Sequence, residues 1–431
     1  MKQYFAGIAL CLAFVPLISF AQFVPDTDDA LSPTPAHRTC GSEVYRQYLQ
    51  QNNPNMDLSP QGIEAHLQES LIRGDFRNYD KTTNTINIPV VVHVLYRSVT
   101  DSLSMTRILS NINSLNADYN FENADTNLIP AYYRPVAGSV GIRFVLANLD
   151  PNMQPTTGVT YTKTTVTSFP LDNTIKSTAQ GGKDIWDRNN YLNIWTGRLS
   201  GSVLGYAQMP GGPAGSDGVV VDYRYFGTQG TGSQSPYNRG RTATHEVGHW
   251  FGLWHIWGDA NCGNDFVNDT PVSQDANYGC PAYPQISCNN GANNNTEGGD
   301  MHMNYMDYTD DRCMYMFTSG QKARMLNFLT TATRSNLLNS YALTGNANLI
   351  DAEAAIQVYP NPSADGVFKV TLDYRIRENS QLSVLNALGA EVLTLNNDVV
   401  EVDLGDLGKG IYFLVADSKD GQRYSRKLIV K

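Results

Sequence analysis

A stretch with the pattern H-E-x-x-H-x-x-G-x-x-H, from His245 to His255, dictates the local structure that the middle of this chain can form. An α-helix has about 3.6 residues per turn, so His245 and His249 lie on one helix face and can bind a single metal ion. Gly252 reaches positive φ without a Cβ clash, so the helix can end there and the chain can turn sharply. The stretch therefore predicts a helix, a tight turn and a metal site of three histidines.

Histidine nitrogens suit Zn²⁺, and three protein ligands leave a fourth position open for water. Zinc lowers the pKa of such a water to about 7, and Glu246 can take its proton during attack on a carbonyl. The alternative is a helix whose histidines only pack against neighbouring aromatic residues. A bare H-E-x-x-H would favour that alternative more, because it lacks the glycine and His255. We therefore predict a hydrolytic zinc site with Glu246 as its general base.

The long motif is identified as that of the metzincin metallopeptidases. That family also carries a methionine-containing turn beneath the metal, and the segment Asn304–Tyr308 resembles it, with Met306 as the buried methionine. The resemblance implies that Tyr308 lies near the zinc, where a phenol can donate a hydrogen bond to a developing oxyanion. Plain core packing is the alternative for Met306, since methionine fills gaps in many cores.

Within the metzincins, the chain resembles the pappalysin family over roughly residues 85–335. The segments that carry this resemblance are Thr244–His255, Asn268–Pro271, Asn304–Tyr308 and Cys313–Thr318. The resemblance implies an α+β catalytic domain with a mixed twisted sheet, backing and active-site helices, and an irregular lower subdomain. It also implies that the chain is a zinc endopeptidase.

The pappalysin resemblance extends to four cysteines, Cys262, Cys280, Cys288 and Cys313. Four cysteines allow three pairings, and the sequence alone does not select one. The resemblance favours Cys262–Cys288 with Cys280–Cys313.

A calcium site is also implied by the resemblance. Asp265 and Thr270 match the family in type and spacing, and Asn268 between them offers a carbonyl oxygen. Oxygen ligands in a loop suit Ca²⁺. The alternative is a polar turn, because Asn, Asp and Gly are common in turns for local reasons.

The family prefers a lysine or arginine just after the scissile bond, and such a side chain needs an acid in its pocket. Asp310 and Asp311 follow the methionine turn, where the family places this acid, and we predict Asp311. The neighbouring Arg312 could neutralise it. A solvated acidic turn is the alternative.

Residues 1–21 have the features of a signal peptide, with Lys2 at the start, an apolar run over 8–20 and small residues before the predicted cut after Ala21. An uncleaved anchor is the alternative. The run is too short for a stable membrane span, and no later segment is apolar enough for one, so we expect no transmembrane segment in the mature chain. The net charge of −10 argues against a nucleic acid as partner.

Residues 22–84 are predicted to be a propeptide before a catalytic domain at 85–340. Cys40, in Arg38-Thr39-Cys40-Gly41, is the odd thiol of the exported chain and needs an explanation. A thiolate is a zinc ligand, and the resemblance to microbial relatives implies that Cys40 blocks the metal. A stray buried thiol is the alternative. Activation would require a cut before Ile86, and the candidate bonds precede Arg73 or Arg77.

In the catalytic domain, apolar patterns predict strands at 88–96, 140–149, 191–197 and 219–225, a helix from Met105 to Leu115 and another from Thr318 to Leu338. The last helix would be capped by Thr318 or Ser319. The resemblance implies that the strand at 219–225 forms the sheet edge, where an extended peptide substrate pairs by backbone hydrogen bonds.

After a linker at 341–351, residues 352–431 predict an all-β sandwich of short alternating strands. Three segments, Val358–Pro362, Gly410–Phe413 and Lys427–Lys431, resemble the C-terminal sorting domain of the Bacteroidetes type IX secretion system. The resemblance implies that the secretion machinery is a partner and that the protein is secreted or held at the cell surface. A carbohydrate-binding or spacer sandwich is the alternative.

Overall fold

The computed structural model describes residues 35, 37–73, 86–290, 293–294, 297–331, 334–344, 356–372, 377, 380–387, 389–397, 399–418 and 423–431. The predicted signal peptide and the candidate cut before Arg77 lie outside the described residues, as does the predicted linker from 345 onward. The bond before Arg73 lies in the last turn of a helix. Among the described residues, none of the helices is both long enough and apolar enough to cross a bilayer.

The described α-helices are α1 Ser42–Asn52, α2 Pro60–Arg73, α3 Met105–Tyr119, α4 Arg241–Trp250 and α5 Ser319–Thr330. The strands before the C-terminal module are β1 Ile86–Tyr96, β2 Ile142–Leu146, β3 Val159–Lys163, β4 Leu192–Gly197, β5 Gly205–Ala207, β6 Val219–Asp222, β7 Asn289–Asn290 and β8 Asn293–Asn294. Short 3-10 helices cover Thr126–Leu128, Thr174–Lys176, Thr178–Gln180, Ala214–Ser216, Tyr223–Tyr225, Asp311–Cys313, Ser335–Thr344 and Gly405–Leu407.

One mixed sheet forms the centre of the larger region, with strand order β2-β1-β4-β6-β5 and β3 also paired to β1. All pairs are parallel except β5 with β6. β1 is buried on both faces along most of its length, and a near-continuous apolar run is what a central parallel strand requires. The predicted mixed sheet is therefore confirmed.

The predicted position of the sheet edge was wrong. β6 lies inside the sheet, between β4 and β5, and the strand at this edge of the sheet is the three-residue β5. All four β6 residues are buried, so its unbroken run of valines was a signal for an internal strand. β5 is too short, and too rich in small residues, to give a clear apolar pattern.

The two faces of this sheet carry different layers. Side chains alternate along a strand, so Val219 and Val221 join the core under α3 and α4, while Val220 joins a second core. Trp195 on β4 and Tyr206 on β5 belong to that second core. The helix α1 covers it with Tyr45, which is fully buried.

The chain between α4 and α5 is loop-rich and is held by two disulfides, Cys262–Cys288 and Cys280–Cys313. This is the pairing that the family resemblance implies. Thr318 caps α5 in a capping box with Gln321. The predicted helix to Leu338 ends earlier, at Thr330. There, Thr330 and Thr331 donate side-chain hydrogen bonds to carbonyls of the preceding turn, which competes with the helix ladder.

The C-terminal module has its own core and two antiparallel sheets, ordered β13-β10-β9 and β12-β11-β14-β15. Its strands are β9 Ile356–Tyr359, β10 Val367–Leu372, β11 Ser380–Asn386, β12 Glu391–Leu395, β13 Glu401–Asp403, β14 Gly410–Ser418 and β15 Arg423–Val430. The predicted all-β module is confirmed. β12 and β13 are short and half-exposed, and such strands give a weak alternating signal in the sequence.

Candidate metal centre and the segment that covers it

Three histidine side chains meet below the edge of the sheet. His245 and His249 come from α4, and their Nε2 atoms lie 3.1 Å apart. His255 follows the turn at Gly252, and its Nε2 is 3.0 Å from that of His249. Gly252 has φ +86°, and a Cβ there would lie 2.3 Å from the Phe328 ring, so both backbone and space require glycine.

The other ring nitrogens fix how these imidazoles point. Nδ1 of His245 lies 2.7 Å from the carbonyl oxygen of Tyr305, and Nδ1 of His249 lies 2.8 Å from that of Leu253. Nδ1 of His255 lies 2.5 Å from a carboxylate oxygen of Asp259. Because each of these partners is an acceptor, Nδ1 carries the proton and the three Nε2 lone pairs face one another. Such an arrangement fits a metal cation, with carbonyl and carboxylate partners behind the ligands.

Cys40 completes the cluster from the N-terminal segment. Its sulfur and one nitrogen from each of His245, His249 and His255 all lie within 4.8 Å of one another, and all four residues are buried. Three histidines and one cysteine form a tetrahedral zinc donor set, so the residues present fit the ion that the sequence predicts. Burial raises the pKa of the Cys40 thiol well above its usual value. A bound cation reverses that preference, because a coordinating thiol is deprotonated.

Glu246 lies beside this cluster and is held by the same N-terminal segment. Its Oε2 lies 3.3 Å from Cys40 Sγ and accepts a hydrogen bond from the Ser42 hydroxyl at 2.9 Å. Ser42 Oγ also accepts from the backbone N–H of Ala207 on β5. Burial raises the pKa of Glu246 to about 7. Ser42 was not predicted from the sequence, where its position two residues after Cys40 is the available signal.

Met306 and Tyr308 both pack close to the histidines. Met306 is fully buried, and a Cβ on Gly248 would lie 2.5 Å from its sulfur, so it packs directly under α4. The ring of Tyr308 packs 4.9 Å from that of His255, and its hydroxyl accepts a hydrogen bond from the Cys40 N–H at 3.3 Å. The structure therefore brings Tyr308 to the cluster and Met306 beneath it.

Asp311 is fully buried beside the cluster and contacts Arg38 of the N-terminal segment in an ion pair. Its other oxygen accepts from the backbone N–H groups of Arg239, at 2.7 Å, and Arg241, at 3.3 Å. The exposed Arg312 lies instead near Asp310, at 3.7 Å. Arg38 appears in the sequence only as a neighbour of Cys40, and no pattern in the sequence indicates Arg239 or Arg241.

The Arg38 side chain fills the space above Asp311. It donates from Nε to the Thr309 carbonyl at 3.2 Å, and its guanidinium lies 4.9 Å from the centre of the Tyr237 ring. The chain then continues along the sheet edge, parallel to β5. Leu204 N donates to Thr39 O at 2.9 Å, and Gly41 N donates to Gly205 O at 2.8 Å. Residues 38–42 therefore cover the metal cluster, Glu246 and the Asp311 pocket together.

The predicted calcium ligands lie apart from this cluster. Asp265 is buried and accepts hydrogen bonds from the Thr270 hydroxyl, at 2.8 Å, and from the Val267 N–H, at 3.0 Å. Burial raises the pKa of Asp265 to about 7. Asn268 is exposed between them. The structure therefore brings Asp265 and Thr270 together, while the Asn268 side chain faces solvent.

Two family models match the chain. Residues 176–330 match the family described as Pregnancy-associated plasma protein-A. This range includes the three-histidine motif and Asp311. Residues 357–431 match the Secretion system C-terminal sorting domain.

Named relatives cover different shares of the chain. An extracellular metalloprotease of Podospora anserina is 32% identical over 275 residues, which span 62% of this chain and 80% of that protein. An extracellular metalloprotease of Pyricularia oryzae is 43% identical over 140 residues, 31% of this chain and 46% of that protein. In the second comparison the chain spans about half of its relative's length.

Two solved structures from Tannerella forsythia are similar over most of the described fold. A promirolysin variant is 39% identical with a TM-score of 0.63, covering 72% of this chain and all of that chain (100%). Mature mirolysin in complex with a cleaved peptide is 42% identical with a TM-score of 0.58, covering 61% of this chain and 99% of that one.

Proposed function

We propose a function from one premise: this chain belongs to the pappalysin family of zinc metallopeptidases. We propose that the protein is a secreted zinc endopeptidase, made as a zymogen whose N-terminal segment blocks the active site. The observation that carries it is the convergence of three histidine Nε2 atoms beside the buried carboxylate of Glu246.

In the proposed reaction, His245, His249 and His255 would hold zinc through Nε2. A bound zinc would act as a Lewis acid toward the scissile carbonyl and its attacking water. Glu246 takes a proton from that water and passes it to the leaving amine. Once the N-terminal segment has left, the Tyr308 hydroxyl is free to donate a hydrogen bond to the developing oxyanion. Met306 supports the helix from below.

Latency is proposed to depend on two contacts made by neighbouring residues. Cys40 would supply the fourth ligand of a bound zinc, in the position that the attacking water would otherwise take. Ser42 donates to the Glu246 carboxylate at 2.9 Å, so the general base is engaged as well. Both contacts end when the segment is cut away and released, which is the proposed activation step.

Asp311 is proposed to select a lysine or arginine just after the scissile bond. The support is the buried ion pair with Arg38, because this pocket accepts a guanidinium in the latent protein. Backbone N–H groups of Arg239 and Arg241 donate to one Asp311 oxygen, which leaves the other oxygen as an acceptor for a cationic side chain. Arg312 points to Asp310 and leaves this charge available.

A calcium site at Asp265, Asn268 and Thr270 remains a proposal. Asp265 is a buried carboxylate whose described hydrogen bonds come from a hydroxyl and a backbone N–H, and a hard cation would stabilise its charge. Adding calcium to chelated protein should raise the melting temperature, and Asp265→Asn should remove that increase. An unchanged melting temperature in the unmodified protein would reject the site.

The C-terminal module is proposed to direct export through the type IX machinery, after removal of residues 1–21 and before cleavage of the propeptide 22–84. Its match to a secretion sorting domain supports this role. The catalytic domain at 85–340, the linker at 341–351 and the sorting domain at 352–431 are the boundaries we propose. The protein is released or attached to the cell surface after translocation.

The central test is cleavage of a peptide library by the activated protein, with fragments mapped by mass spectrometry. We expect cuts before lysine and arginine, and loss of all cuts after zinc is chelated. The matched control is Glu246→Ala, which should keep zinc by elemental analysis and lose cleavage. Cutting that survives both treatments would reject the proposed active site.

A further inference from the structure

Tyr45, in the first turns of α1, occupies a pocket formed by residues of the catalytic domain. The side chain is fully buried, and its ring lies 4.7 Å from that of Tyr206 on the edge strand β5. Its hydroxyl donates to Asn173 Oδ1 at 2.5 Å and accepts from Lys176 Nζ at 2.9 Å. The pocket therefore binds both the ring and the phenol oxygen of a tyrosine.

Lys176 is the charged group of this pocket, and it is 4% exposed. Its ammonium lies 4.4, 5.2 and 5.4 Å from the ring centres of Tyr45, Trp195 and Tyr206. It also donates to the Ser216 carbonyl at 2.6 Å. Burial lowers the pKa of Lys176 to about 7, and the aromatic faces and hydrogen bonds compensate part of that cost.

The three anchors of the N-terminal segment follow one another along the sheet edge. Arg38 fills the Asp311 pocket, Cys40 lies at the metal cluster beside Gly205, and Tyr45 fills the pocket farther along the chain. Tyr45 is one helical turn past the start of α1, and a helix rises less per residue than an extended peptide. An extended peptide would therefore need about two or three residues to reach from the metal cluster to the pocket that holds Tyr45. A basic residue in the Asp311 pocket follows the cleaved bond, so the Tyr45 pocket lies on the side of the residues that precede it.

We propose that, after the N-terminal segment is released, the pocket of Asn173, Lys176, Trp195 and Tyr206 binds a tyrosine side chain of the peptide substrate. The tyrosine stands two or three residues before the cleaved bond. This inference rests on the proposed endopeptidase function. Phenylalanine fits the aromatic walls but leaves the buried ammonium and amide oxygen without the phenol between them. A site built to bind a hydroxyl discriminates strongly against an analogue that lacks it.

The first test compares peptides that share one lysine after the cleaved bond and carry tyrosine, phenylalanine or leucine two or three residues before it. We expect kcat/KM for the best tyrosine peptide to exceed that of its phenylalanine partner about tenfold, since a hydrogen bond to a charged group contributes about that factor. Lys176→Met should reduce the ratio to about one. Lys163→Met, on the exposed part of β3, should keep it. Equal rates for tyrosine and phenylalanine peptides in the unmodified enzyme overturn the pocket and leave the protease function intact.

The second test measures binding and needs no turnover. A synthetic peptide of residues 37–52 is titrated into the activated protein by calorimetry, beside the same peptide carrying Tyr45→Phe. We expect the phenylalanine peptide to bind about tenfold more weakly, and this change leaves the enzyme itself unaltered. Equal affinities overturn the proposal. If no peptide is cleaved while the tyrosine peptide binds more tightly, the endopeptidase function fails and the pocket stands.

Discussion

The metal cluster and the Asp311 pocket are closed by the same short N-terminal segment, but the chain builds them in different ways. The cluster takes its three histidines from one stretch, His245–His255. The pocket takes its carboxylate from Asp311, its N–H donors from Arg239 and Arg241, and its aromatic wall from Tyr237.

Charge explains the difference. The Nε2 atoms of three imidazoles face one another at the cluster, an arrangement that suits a cation between them. Asp311 is a buried carboxylate, and its cationic partner is the Arg38 side chain of the N-terminal segment. The N-terminal segment contacts the two sites with different groups, the Cys40 thiol at the cluster and the Arg38 guanidinium at Asp311. Activity should therefore depend on the first site for every substrate, and on the second for basic substrates alone.

The largest expected effect is at the cluster. Glu246→Gln keeps the shape of the side chain and removes the base, so kcat should fall about 10²–10⁴-fold on basic and neutral peptides alike. The measurement is kcat for a matched pair of peptides, with zinc content as the control for folding. A loss confined to the lysine peptide would mean that Glu246 belongs to the specificity pocket and not to the chemistry.

The second prediction concerns the stability of the latent protein. Arg38→Met leaves the buried Asp311 carboxylate without its cation, and removing one partner of a buried pair costs about 3–5 kcal/mol. Urea unfolding of the latent form, made in the Glu246→Gln background to prevent self-cleavage, measures this cost. Arg312→Met is the matched control, because that guanidinium is exposed and pairs with Asp310. Equal effects of the two changes would refute the special role of Arg38.

The third prediction sharpens the division between the two sites. Asp311→Asn removes the charge but keeps the size, so kcat/KM for a lysine peptide should fall about tenfold to a hundredfold, which is the strength of hydrogen bonds to charged groups. The same variant should cleave a leucine peptide at nearly the original rate. The alternative acid, Asp310, supplies the comparison, because Asp310→Asn should leave both rates close to those of the unmodified enzyme. A uniform loss on both peptides would show that Asp311 only supports the fold.

The sequence predicted these two sites unequally, and the contacts explain why. The cluster follows from helix geometry within a single stretch, so its spacing could be read directly. The Asp311 pocket depends on pairs that are remote along the chain, such as Arg38 with Asp311, 273 residues apart. Nothing in the neighbourhood of Asp311 marks Arg38 as its partner, and only the family resemblance selected Asp311 over Asp310.

The secondary structure was also predicted well where the signal is local and poorly where it depends on contacts that are remote along the chain. β1 and α3 were predicted close to their observed bounds because each has a long apolar pattern. The edge strand was misplaced, because β5 has only three residues and is identified by its pairing with β6 and with the N-terminal segment. The pocket that holds Tyr45 also escaped prediction, since its residues come from β4, β5 and the 3-10 helix Thr174–Lys176, which only tertiary packing brings together.

The smallest expected effect separates the two contacts made by the latency segment at the cluster. Ser42→Ala removes one hydrogen bond to the Glu246 carboxylate, so the free energy of unfolding of the latent form should fall by about 1.5 kcal/mol. Cys40→Ala removes a ligand from the metal and should shorten the lag before activity far more. The measurement is the lag before peptide cleavage at fixed protein concentration, with Ser59→Ala as a control on an exposed hydrogen bond of the same segment. A lag that Ser42→Ala shortens as much as Cys40→Ala would mean that engagement of the base, rather than of the metal, maintains latency.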